Sequence, residues 1–141
     1  MKNQKGITLI ALVITIIVLL ILAGVSIAML TGDNGIITKA TEATTNTKRG
    51  EAKEAVRLGV ATIITENEGT LDKNTITIDN LKAAIQEANS NAEVKITEED
   101  MDITGADGMP SPQATLKTEV TIGDATYTCN VVIGTGKIIE K

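Results

Sequence analysis

Lys5-Gly6-Ile7-Thr8-Leu9-Ile10-Ala11-Leu12 opens the stretch whose reading decides the rest of the chain. From Ile7 to Leu30 there is no Asp, Glu, Lys, Arg, Asn, Gln or Pro. A helix of roughly two dozen residues rises about 36 Å, enough to cross a hydrocarbon core of about 30 Å. Lipid offers the backbone no hydrogen-bond partner, so such a run is stable there only as a helix that satisfies its own amides. Residues 7–30 therefore read as a transmembrane helix. Lys2 and Lys5 precede it, and the first basic residue beyond it is Lys39. The positive-inside bias predicts residues 1–6 in the cytoplasm and residues 31–141 on the extracytoplasmic side.

A basic leader, then Gly6, then Ile7-Thr8-Leu9-Ile10 at the head of an unbroken apolar helix resembles the amino terminus of type IV prepilins and pseudopilins. The resemblance covers roughly residues 1–35. It implies that a membrane prepilin peptidase removes leader residues 1–6 by cutting between Gly6 and Ile7, and that the new terminal amine of Ile7 is methylated. It also implies partners: other pilin subunits and a pilus assembly platform, which build an extracellular filament or pseudopilus at the cell surface. Two positions depart from the family pattern. Ile7 stands where Phe or Met is usual, and Ala11 stands where a Glu would pair with a neighbour's amino terminus. Pilin-like proteins of Gram-positive bacteria are most similar to this variant. Within the helix, Ala11, Ala23, Gly24, Ser26 and Ala28 are small enough to let neighbouring helices approach closely.

The chain has 141 residues, of which about 105 lie beyond the membrane run and its junction, enough for one small domain. Hydrophobic content is 43%, but there is no Phe or Trp and only one Tyr, Tyr127, so the core must be built from Ile, Val, Leu and Ala. Net charge is −5, and loss of Lys2 and Lys5 would make the remainder more acidic. An acidic exterior argues against nucleic acid or anionic lipid headgroups as ligands.

Past the membrane run, Thr31-Gly32-Asp33-Asn34-Gly35 reads as a break, with Asp33 or Asn34 able to cap a second helix. That helix is expected over residues 36–66. Ile36, Ala40, Ala43, Thr47, Ala52, Ala55, Val56, Gly59, Val60, Ile63 and Ile64 recur there at spacings of three and four. Thr75-Ile76-Thr77-Ile78 alternates and reads as a short strand, and Asp79 as the cap of a short helix over 80–89. Val94 to Thr97 reads as a strand, and Met109-Pro110-Ser111-Pro112 as loop, since proline lacks a donor. Thr115–Ile122 and Ala125–Ile133 read as a hairpin across Gly123-Asp124, whose Gly-first order suits a type II′ turn. Tyr127, Cys129, Val131 and Ile133 would share one of its faces. A last short strand is expected over residues 137–140. The fold class is α+β: a long N-terminal helix, half membrane and half amphipathic, followed by a small antiparallel β-sheet head. That is also the pilin-like arrangement the resemblance implies. In domain terms, residues 31–141 form the extracytoplasmic domain, with the β-rich head over 67–141.

Signals for catalysis are weak. There is no His to serve as a general base, and one Cys cannot build a thiolate metal site. No phosphate-binding Gly loop occurs in a strand-to-helix setting. No enzyme activity and no cofactor are expected. Asp100, Asp102 and Asp107 alternate with other residues ahead of or around Gly105, as calcium ligands do, but the position needing a bidentate Glu holds Ser111, so they are weak candidates. Residues 98–100 read as a solvated charge run. The leading expectation is a structural subunit. The alternatives are an uncleaved, signal-anchored protein or a secreted small domain that displays a binding or adhesive surface, with Ser26-Ile27-Ala28 as a signal-peptidase site in the secreted case.

Overall fold

The apolar run forms one uninterrupted helix, α1 (Gln4–Thr31), and a second helix, α2 (Ile36–Glu66), begins after four residues. The structure is a computed structural model that describes residues 4–69, 71, 74–104 and 110–141. Its contacts divide the chain into two units, Met1–Thr44 and Thr45–Lys141.

In the first unit the break between the helices is closed by its glycines. Gly32 donates to the Ala28 carbonyl (3.0 Å), Gly35 donates to the Gly32 carbonyl (2.6 Å), and the Thr38 hydroxyl donates to that same oxygen (3.1 Å). The expected cap at Asp33 or Asn34 is not the one found. Gly35 stands directly before α2, its carbonyl taking the Lys39 amide. A Cβ there would lie 2.5 Å from the Leu30 carbonyl oxygen and 2.8 Å from that of Gly32, so only glycine fits.

The second unit holds the rest of α2, the short helix α3 (Ile78–Ala88) and four strands: β1 (Glu93–Thr104), β2 (Pro110–Ile122), β3 (Ala125–Val132) and β4 (Ile138–Glu140). They form one antiparallel meander in the order β1-β2-β3-β4. Directly paired residues point to one face. The pairs Val94↔Val120, Leu116↔Val131, Val120↔Tyr127 and Thr118↔Cys129 thus define the core face. Against it lie Ala52, Ala55, Val56, Val60 and Ile63 of α2 with Leu81, Ala84 and Ile85 of α3. The helices meet at Gly59, where an added Cβ would come within 2.9 Å of Ile85 Cγ1 and 3.0 Å of the Ile85 amide nitrogen.

The hairpin turn forms as the sequence suggests. Gly123 has φ +62°, and Asp124 is not among the described residues with positive φ, the pattern of a II′ turn. Four expectations need correction. Thr75–Ile78 is no strand: Thr77 caps α3, its hydroxyl accepting the Asn80 amide (3.2 Å), so neither Asp79 nor residue 80 starts the helix. Ile76 and Leu81, at the two positions of a hydrophobic staple, are both in the core and fix that entry. Strand β1 runs well past Thr97, to Thr104. Pro110, Ser111 and Pro112 belong to β2 rather than to a loop; Met109 lies outside the described residues. Along α2 the residues that recur at spacings of three and four are buried or half-buried from Ala52 onward, while Ile36, Ala40, Ala43 and Thr47 are exposed.

Candidate functional site: the exposed apolar helix

Every large apolar side chain of α1 is exposed, from 46% at Val13 to 68% at Leu20. Three of its hydroxyl side chains bond back to the helix itself. The hydroxyl of Thr15 donates to the Ala11 carbonyl, that of Ser26 to Leu22 (2.7 Å) and that of Thr31 to Ile27 (2.9 Å). Such back-bonding hides a donor that lipid could not satisfy, so these residues cost little in an apolar setting. Around Gly24 an added Cβ would meet nothing within 4 Å, which leaves that side of the helix open. Ala11, Ala23, Ser26 and Ala28 are exposed with it. Gly6 and Ile7 fall in the first turns of α1, and Ile7 is 67% exposed. Lys2 lies outside the described residues.

Ion pairs hold the second unit together around its sheet. Lys48 Nζ lies 2.7 Å from Asp124 Oδ1, and Thr45 also donates to that carboxylate (3.2 Å), which clips α2 to the hairpin turn. The Lys48 bond holds the Asp124 carboxyl below its ordinary range, helped by its own backbone amide and Thr45. Lys53 pairs with Glu140, tying β4 to the same helix and lowering that carboxyl. On the outer face, Asn130 is fully buried; its Nδ2 reaches Thr115 Oγ1 and Glu99 Oε2, both at 3.3 Å. Lys141 completes that group 3.1 Å from Glu99, and its hydrogen bond, with that of Asn130, lowers the Glu99 carboxyl.

None of this resembles a catalytic constellation. Burial pushes the Cys129 thiol up to about 11, away from thiolate chemistry. Among the described residues no group of three potential metal ligands converges. Asp100 and Asp102 lie in the extended end of β1, paired opposite Ala114 and Pro112, and Asp107 lies outside the described residues. One feature escaped the sequence: Glu98 and Asp100 sit across a cleft of about 320 Å³ from Ile76–Asp79 at the start of α3. In sequence they are only a charge run, and nothing local signals that α3 begins opposite them.

The geometry defines a class, an α+β pilin-like protein with one exposed apolar helix long enough to cross a membrane. Residues 1–27 match the family model described as the prokaryotic N-terminal methylation motif, the signature of type IV prepilins. No curated protein and no solved structure matches the chain.

Proposed function

We propose that this chain is the precursor of a type IV pilin-like structural subunit. It is held in the membrane by α1, cut between Gly6 and Ile7, methylated on Ile7, and assembled with other pilin subunits into a filament or pseudopilus. One observation carries the reading most strongly: a motif-bearing helix exposes its apolar surface along its whole length, in a chain whose second unit has a buried core of its own. Lipid covers that surface before assembly, and neighbouring helices cover it afterwards. Lipid is as apolar as Leu, so the transfer gains little from the hydrophobic effect. Close packing at Ala11, Ala23, Gly24, Ser26 and Ala28 supplies the difference.

For cutting, the bond between Gly6 and Ile7 must leave the helix and lie extended in a peptidase. Glycine lowers the helix preference of that turn by about 1 kcal/mol relative to Ala, which favours local opening. Without a carboxylate at Ala11, subunit docking does not draw on a pair between that position and a neighbour's amine. The test is the mass of the amino-terminal peptide from membranes or filaments. A methylated Ile7 is the expected start; intact Met1 would favour the signal-anchored alternative, and Gly6→Val should leave the leader in place.

A further inference from the structure

We propose that the outer edge of β1, from Glu98 to Thr104, takes up an extended basic segment of a partner protein as an added strand, with one of that segment's apolar side chains in the adjoining cleft. Strand β1 pairs with β2 over its full length, Glu93↔Thr121 through Thr104↔Pro110, and among the described residues no strand pairs with its other side. Strand β3 covers β2 only from Thr115 onward. Among the described residues, the far end of the β1–β2 pair is thus a two-stranded ribbon with two open sides.

Those sides are not equivalent. Ala114 accepts the Ile133 amide (3.1 Å), so its backbone groups face the β3 side. Alternation along the strand gives Pro112 and Pro110 the same sense, and neither has an N–H to offer there. That side is blunted against strand addition. Because Ala114 faces β3, Thr115 faces β1, and its partner Glu99 faces back. The backbone groups of Glu98, Asp100, Asp102 and Thr104 therefore point outward, and no proline interrupts them. Among the described residues no backbone hydrogen bond beyond the ladder reaches them.

Charge and shape identify the occupant. Glu98 pairs with the core residue Leu116, so Glu98 and Asp100 project on the core-face side, where the cleft opens. Both are exposed, and among the described residues no cation lies within salt-bridge distance of either. Asp79 lines the same cleft, whose walls include Ile76, Ala114 and Ile133. A second copy offering its own β1 edge would set these carboxylates against each other, which disfavours self-pairing. A strand alternating Lys or Arg with an apolar residue meets both the acidic rim and the apolar wall. In strand addition main-chain bonds supply affinity, and pockets for alternate side chains supply selectivity.

The test uses the full chain in uncharged detergent micelles and a labelled peptide alternating Lys and Val, followed by fluorescence anisotropy and amide hydrogen exchange. The peptide should bind saturably and slow exchange at Glu98, Asp100, Asp102 and Thr104. N-methylation of the peptide on alternate amides, which keeps its charge, should weaken binding about tenfold or more. Asp100→Pro, which removes an outward N–H and no β1–β2 bond, should do the same. Should that variant melt earlier, the methylated peptide decides, since it leaves the protein untouched. Glu98→Lys with Asp100→Lys should shift preference to a peptide alternating Glu and Val. Failure to saturate, equal binding of the methylated peptide, protection elsewhere, or copies that cross-link to each other through position 100 would each overturn the proposal.

Discussion

Leu19 and Leu116 are the same side chain in opposite circumstances: Leu19 is 60% exposed on α1, and Leu116 is 1% exposed under the sheet. The second unit answers its own hydrophobic demand. Its core Ile, Val, Leu and Ala side chains, with Tyr127, are closed over by α2, α3 and the meander. The helix α1 answers none of its demand internally, so its environment must come from outside the chain. The residues that fold the second unit and those that need an apolar environment from elsewhere are therefore separated along this sequence.

That separation can be broken by paired substitutions. Leu116→Ala should lower the stability of the second unit by about 2–5 kcal/mol, while Leu19→Ala should leave its melting unchanged. Equal effects in thermal denaturation of the two variants would refute the division. Next, Ile17→Arg should weaken membrane retention by about 3 kcal/mol and leave the sheet's circular dichroism intact, as read by carbonate extraction of membranes.

Two glycines sharpen the same contrast. Gly59→Ala forces a Cβ against Ile85 and should cost about 1–3 kcal/mol, because backbone as well as side chain must shift. Gly24→Ala meets open space and should be neutral for the isolated chain. If it nonetheless reduces filament yield, helix packing at that spot belongs to the assembled state.

The smallest expected effect is alkaline. Burial, with lesser contributions from Cys129 and Glu140, pushes Tyr127 from 10.0 up to about 12, and Cys129 rises from 9.0 to about 11. Both folded values lie above the unfolded ones, so the associated stability is whole below pH 9 and is lost as pH climbs through about 11 to 12. Phenolate absorbance of the single Tyr should appear late and together with unfolding. Tyr127→Phe, which also removes a buried hydroxyl with no well-formed hydrogen bond among the described residues, should retain more structure at high pH. Phenolate appearing near 10 with the sheet intact would contradict the burial.

Much of this was legible in the sequence where one local signal dominated. The charge-free run sets α1, and Gly123-Asp124 between β-branched runs sets the central hairpin. Thr75–Ile78 misled because its alternation mimics a strand; the Thr77 hydroxyl and the Ile76–Leu81 staple tip it toward helix entry. Pro110 and Pro112 looked like loop because their missing donors matter in a sheet interior. Here those donors would face a side that β3 does not reach. The exposed first half of the α2 stripe has the periodicity of a buried one, and periodicity does not say whose core it serves. The cleft beside β1 was hidden because residues 76–79 and 98–100 meet only through the tertiary fold.

The meander has a further consequence for how the second unit forms. Each strand pairs with its neighbour in sequence, and the β2–β3 connection is two residues long. Contacts so local lower the entropy that must be surrendered before pairing begins, which speeds folding. Cys129 is unpaired and buried, so no oxidation step stands in the way. A chain that emerges residue by residue can close one strand pair after another as residues arrive. It then spends little time as loose polypeptide open to proteolysis.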